Sequence, residues 1–579
     1  MASYDLIVRG GTVVDGTGAA PRTADVAVRD GIVVEVGRVE GAGARVIDAA
    51  GALVTPGFVD IHTHYDGQAT WDSALTPSAW HGVTTVVMGN CGVGFAPVRP
   101  TDHDRLVELM EGVEDIPGAA LHEGLSWEWE SFAEYLDAVE RRPHDIDVAA
   151  QVPHGAVRLY VMGERGAARE PATPEDIAAM ADLVRQGIQA GALGFTTSRT
   201  LNHRTSTGDF TPTLTAEAAE LLGIAQGMTA GVIEVVSDFA DLDAEFSLLQ
   251  RMVEVSGRPL SISIAQEVGR GDWRVLLDRI DQANAAGLPM RGQVPARAIG
   301  LLLGLQATLN PFLTRPSYRE VADLPVAERA ARMADPRFKA RLLAEDAGGG
   351  QGRRAFTQRW DRMFRLTDPP DYEPGPEKSI AAEAARAGRS PDEYAYDTLL
   401  EDEGRRLLYF PLLNYADGDL EAVREMLSHR WTVPGLSDGG AHVGTICDAS
   451  FPTTLLTHWA RDRSRGDRLE LAALVRAQTS DTAEAVGLGD RGVLAPGRKA
   501  DLNVIDFEGL TLHPPTMAFD LPAGGKRLLQ RADGYLHTVV SGVPVYEGGQ
   551  ATGALPGRLV RGALHQNPLR AGARRPTAP

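Results

Sequence analysis

Two histidines two residues apart, His62 and His64, follow the apolar run at 52–59. If that run is a strand, the spacing sends both imidazoles to one face at its C-terminal end. Two neutral imidazoles meeting at a point are half of a site for a borderline divalent ion such as zinc. A second group lies far downstream, in Leu436-Ser437-Asp438-Gly439-Gly440-Ala441-His442. A carboxylate at Asp438 can ligate the ion, take a proton from water and hand it to a leaving group, the combination that hydrolysis needs. The same Asp before two glycines also fits a turn or a helix cap. His442 either supports this group or faces substrate.

Other residues offer less specific chemistry. Cys91, in Gly89-Asn90-Cys91-Gly92, is a thiolate ligand for a metal or a small buried hydrophobe. His154, after the run at 147–152, can polarise a carbonyl or serve as a satisfied structural histidine. Arg199 and His203 follow the run at 192–197 and can meet an anionic substrate, or belong to a solvated loop. Gln293 and Arg297 flank the end of another apolar run.

Positioning these groups requires a scaffold in which distant strand ends converge. Strand-like runs at 57–62, 84–88, 147–152, 192–197, 231–236, 260–265, 289–294 and 431–436 alternate with amphipathic helical stretches. Such a succession predicts a closed (β/α)8 TIM barrel of α/β class, whose site sits at the C-terminal strand ends. Short alternating strands at 1–55 and again at 487–562 have the same texture, and predict one small β-sandwich assembled from both termini around a barrel at 56–486. Two intervals exceed a simple crossover, near 102–146 and 300–428. The second follows the seventh strand, on the face where barrel enzymes bind substrate, and reads as a lid. Residues 563–579 lack periodicity and read as a disordered tail.

Composition narrows the partners. The 579 residues carry 57 Lys+Arg against 78 Asp+Glu, a net charge of −21, so a phosphate backbone meets a repulsive average field. Nucleic acid is therefore excluded as a first reading, and no apolar stretch approaches a membrane span. Only two cysteines are present, which rules out a disulfide framework and points to a cytoplasmic protein. A small-molecule substrate is expected, and the chain is compatible with a homo-oligomer.

The motifs together resemble the amidohydrolase superfamily, and within it the N-acyl-D-amino-acid deacylase (D-aminoacylase) branch. The resemblance rests on residues 4–11, on Thr55-Pro56-Gly57-Phe58-Val59-Asp60-Ile61-His62-Thr63-His64, on residues 82–92, on Ser437-Asp438-Gly439 and on residues 492–502. It implies that His62, His64 and Asp438 form one metal position, with Cys91 as a ligand at the adjoining one. It also shows departures. The branch places histidines on the fifth and sixth strands, where this chain has Glu234 and the pair Ile264-Ala265. Glu234 can replace an imidazole; Ile264 and Ala265 cannot ligate. The branch holds its substrate carboxylate with a lysine and an arginine, where this chain offers Gln266 and Ile446.

The expectation is a zinc-dependent amidohydrolase cleaving a C–N bond of a small molecule other than a simple N-acyl-D-amino acid. It carries one ion on His62, His64, Asp438 and Glu234, with Cys91 at the impaired second position. Asp438 and His154 are the expected catalytic groups, and Arg199, His203, Gln266 and His442 the expected substrate contacts. The residues leave open a cyclic amide, imide or ester hydrolase, and a lyase, isomerase or non-hydrolytic descendant on the same fold.

Overall fold

Alternating apolar and polar residues at the N-terminus form the strand Tyr4–Val13, which pairs antiparallel with Arg22–Arg29 and parallel with Gly43–Asp48. Its inward residues Leu6, Val8 and Val13 pack on Val26, Val28 and Val54 in a core separate from the barrel's. The strand Leu53–Pro56 lies antiparallel to Leu502–Ile505, so the two ends of the chain share one nine-stranded sheet. A computed structural model describes residues 3–268, 272–345 and 359–562. The expected tail at 563–579 and the glycine-rich stretch 347–352 lie outside the described residues.

Past Pro56 the chain passes directly into the barrel. Gly57 makes that junction possible, because a Cβ there would stand 2.2 Å from Thr84 Oγ1. The barrel strands are Phe58–Asp60, Val83–Met88, Asp147–Ala150 continued by Val152–Pro153, Gly194–Arg199, Val232–Ser237, Leu260–Ser263, Met290–Val294 and Thr432–Pro434, all paired in parallel with their neighbours. Every residue of Val83–Met88 is buried, as befits a parallel strand covered on both faces. Helices such as Pro174–Ala190 complete the crossovers, this one opened by a reciprocal cap between Thr173 and Asp176. The eight strands coincide with the eight runs read from the sequence.

Both long intervals fold over the C-terminal strand ends. The first supplies the helices His103–Glu114, Gly118–Gly124 and Phe132–Arg141. The second builds a three-stranded antiparallel sheet from Ile299–Leu303, Phe364–Arg365 and Leu408–Leu413. It packs its own core of Leu301, Phe312, Tyr318, Met333, Tyr396 and Phe410. Among the described residues no helix is long and apolar enough to cross a membrane.

At the opposite, N-terminal face of the barrel, Asp147 is buried against two cations that approach from the sandwich side. Arg491 Nη1 lies 2.6 Å and Lys499 Nζ 3.0 Å from its Oδ2. Removing one member of such a group strands the others in a low dielectric. Asp147→Ala is expected to cost roughly 3–5 kcal/mol and to lower the thermal unfolding midpoint, while metal content stays at the wild-type level. An unchanged midpoint would mean that this network does not join the two domains.

Candidate metal centre

The backbone that carries the site is bent where ordinary strand geometry would turn the ligands away. Cys91, Leu436, Asp438 and His442 adopt φ of 55°, 58°, 48° and 49°, a left-handed region costly for side chains with a Cβ. Gly89, at φ +83°, brings the Cys91 loop so close to the third strand that a Cβ would stand 2.3 Å from the Gln151 carbonyl oxygen.

His62 and His64 are buried, with ring centroids 5.5 Å apart. Gln293 fixes the first ring: its Nε2 donates to Ser261 Oγ at 2.9 Å, which turns its Oε1 toward His62 Nδ1 at 2.8 Å. The proton therefore sits on Nδ1 and the lone pair on Nε2. That Nε2 lies 3.4 Å from Asp438 Oδ1 and 3.4 Å from Cys91 Sγ. His64 Nε2 lies 3.6 Å from the same Asp438 oxygen. Ligand atoms of His62, His64 and Cys91 all fall within 4.8 Å of one another. Both ring nitrogens of His64 are buried without a hydrogen bond, as is Glu114 Oε1. Native interiors rarely leave such groups unpaired unless something else occupies them, so the donor set fits a divalent ion of the zinc type.

Electrostatics favour ligation at His62, whereas at His64 an entering ion must displace a proton. Burial pushes the His62 imidazole down to about 4, which keeps it neutral and able to ligate. Burial would raise Asp438, but the imidazoles of His64, His62 and His442 outweigh it and hold the carboxyl well below the ordinary range. For His64, burial opposes the charge, yet Glu114 and Asp438 carry it up to about 9. Burial raises the Cys91 thiol far above its usual value, so thiolate chemistry at this position requires a cation beside it.

The other expected residues divide into two groups. His203 and His442 line the cavity above the metal-ligating atoms, together with Val113, Glu114, Phe239, Trp273, Ile299 and Leu412. Ser198 Oγ meets His203 Nδ1 at 2.8 Å, and burial lowers this imidazole to about 3. Four residues stand elsewhere than expected. His154 is buried between Thr197 Oγ1 at 2.8 Å and Glu220 Oε1 at 2.9 Å, an oxygen that it shares with Arg158. Arg199 grips Glu245 through Nε and Nη2 and donates to the Ala216 carbonyl. Gln266 Nε2 donates to Asp417 at 2.7 Å while its Oε1 accepts from Ala416 N–H. None of the three lines the cavity, because each has found stronger partners in neighbouring crossovers. Glu234 lies behind Cys91, its Oε2 accepting from the Cys91 N–H at 3.1 Å, and burial raises it to about 8.

Two groups went unnoticed or underweighted in the sequence. Gln293 carried no role beyond its position. Glu114 lay inside an insertion, and its one signal was a carboxylate on the apolar side of a helix, four residues after Met110.

Comparison with known proteins agrees with this architecture. Residues 45–546 match the amidohydrolase family. An uncharacterised protein of Mycobacterium tuberculosis is 28% identical, over 95% of this chain and 93% of its own. The D-aminoacylase of Alcaligenes xylosoxydans is also 28% identical, over 96% of this chain and 97% of its own. A solved D-aminoacylase, whose binuclear centre is described as activated by one metal and attenuated by the second, superposes with a TM-score of 0.65 at 26% identity, covering 96% of this chain and all of the other. The barrel with a sandwich from both termini, the converging ligands and these likenesses lead to one conclusion: the chain belongs to the amidohydrolase family, in its D-aminoacylase-like branch, and is a metal-dependent hydrolase of carbon–nitrogen bonds other than peptide bonds.

Proposed function

We propose that this hydrolase works with a single zinc ion and cleaves N-acyl compounds whose amine part carries no free α-carboxylate. The observation that supports the substrate reading is the lining of the cavity of about 310 Å³ over the metal ligands: among its described residues none is Lys or Arg. At the two positions where the branch places its cations, Gln266 is tied to Asp417 and Ile446 packs against the inserted core. A carboxylate entering there finds no charge-assisted partner among those residues. About half of the lining is apolar, with Val113, Val236, Phe239, Trp273, Leu276 and Leu413 forming a surface that suits an acyl chain or ring, while Asp238, Glu267 and Asp272 add carboxylates.

His62, His64 and Asp438 hold the ion, with Cys91 within reach. When bound, the ion supplies Lewis acidity toward an amide carbonyl and toward water. Asp438 then moves the proton. Its carboxylate takes one from the attacking water as the oxygen adds to the acyl carbon, and delivers it to the amide nitrogen as the C–N bond breaks, leaving a carboxylic acid and an amine. His203 and His442, both on the cavity wall, are the imidazoles available to the substrate. Glu234 holds the Cys91 loop in place of a second ion. The likeness to a D-aminoacylase activated by one metal supports the single-ion reading. Lyase and isomerase readings find no support in these likenesses.

Elemental analysis of protein purified without chelator is the first test, with about one zinc per chain expected and its loss in His62→Ala. Two ions, or none, would overturn the single-ion reading. Asp438→Asn is expected to retain the fold by circular dichroism while turnover falls roughly 10²–10⁴-fold; wild-type turnover would remove Asp438 from proton transfer. For matched substrates, kcat/KM for an N-acyl-D-amino acid amide should exceed that for the free acid by about tenfold or more, the scale of one charge-assisted contact. Preference for the free acid would show that a cation reaches the site from another part of the chain.

A further inference from the structure

The described ligands all arise from barrel strand ends or the turns that follow them, but one ionisable group in the same cluster does not. Glu114 is the last residue of the inserted helix His103–Glu114, whose Leu106, Val107, Leu109, Met110 and Val113 are buried. The helix end is pinned to the turn that follows Asp438. The Glu114 carbonyl oxygen accepts the His442 N–H, and Asp115, at φ 52°, accepts the Gly444 N–H at 3.2 Å. This delivers a carboxylate that is only 1% exposed into the metal cluster. Its Oε1 lies 3.4 Å from His64 Nδ1 and its Oε2 3.6 Å from His442 Nε2. Both Oε1 and Nδ1 are buried and neither makes a hydrogen bond to any other described group.

Burying a carboxylate without a cationic partner is expensive, and among the described ion pairs Glu114 faces imidazoles alone. The two histidines of the pair are treated alike in this respect. Gln293 stands behind the Nδ1 of His62, and Glu114 stands behind the Nδ1 of His64. A metal-ligating imidazole whose far nitrogen donates to a carboxylate is fixed in tautomer and orientation and becomes a better ligand.

We propose that Glu114 is a positioning residue for metal binding: its carboxylate accepts the Nδ1 proton of His64 and thereby presents Nε2 to the ion, so that the first insertion completes the metal centre. This rests on the reading of His62, His64 and Asp438 as the zinc position.

The test is the zinc affinity of the metal-free protein, measured by competition with a chromophoric chelator, for the wild type, Glu114→Ala and Glu114→Gln. Glu114→Ala should bind zinc about 10–100-fold more weakly. Glu114→Gln keeps the shape and one neutral acceptor oxygen and should recover only part of that loss, whereas a merely structural contribution from the helix end would be recovered in full. Unfolding midpoints of the metal-free proteins report the fold separately, and the isosteric Gln variant carries the test if the Ala variant unfolds. Wild-type affinity in both variants would overturn the assignment of Glu114 and leave the metal reading intact. Failure of the wild type to bind zinc would overturn both.

Discussion

Everything at the site depends on how the first barrel strand meets the eighth. Ser437 Oγ donates to the buried Asp60 carboxylate and approaches the His62 carbonyl oxygen at 3.2 Å. Asp438 N–H reaches that same carbonyl at 3.1 Å, and His64 N–H reaches the Gly439 carbonyl at 2.8 Å. A bridge between Thr63 and Gly439 completes the seam. These bonds close the barrel and, in doing so, set the histidine pair opposite Asp438. The register is unforgiving, because a shift of one residue would turn both imidazoles into the wall. Burial raises the Asp60 carboxyl to about 7, and the hydrogen bonds from the Ser437 hydroxyl and the His62 N–H offset part of that cost. The positive φ values at Leu436 and Asp438 are local strain that this seam sustains.

The parts legible in the sequence were those governed by local periodicity. Parallel strands buried on both faces read as apolar runs, and His62 and His64 share a face because two residues separate them. The sandwich was legible because its strands keep the alternation of a half-covered sheet at both ends of the chain. What the sequence hid were pairings that only folding decides. Arg199 looked like a cation for substrate until Glu245, on the helix Leu242–Ser256, took one edge of its guanidinium and the Ala216 carbonyl the other. His154 had a suitable address at the end of the third strand, but Glu220 and Thr197 had first claim on its nitrogens. Glu114 was invisible for the opposite reason. An insertion with no strand periodicity carries it, and its contact with His64 is fixed by where the helix ends.

The two insertions divide the labour over the strand ends. The first lies against the metal ligands through Val113 and Glu114, while the second contributes Ile299, Leu412 and Leu413 to the cavity wall. The second also folds around a hydrophobic core of its own. Shape on that side of the cavity is therefore set by an element whose packing is largely independent of the ligands, and barrel enzymes commonly vary their substrates through loops of this kind.

The shared sheet imposes an order in time. Leu53–Pro56 has Tyr4–Val13 on one edge and Leu502–Ile505 on the other, so the strand emerges from the ribosome about 450 residues before the strand that covers its second edge. At ordinary rates of synthesis that delay is on the order of half a minute or longer. During it the nascent chain exposes an apolar edge beside a barrel whose eighth strand has also yet to appear. The strand Leu502–Ile505 thus works as a clasp, and the cell's holding chaperones have a defined interval in which to guard what it will close.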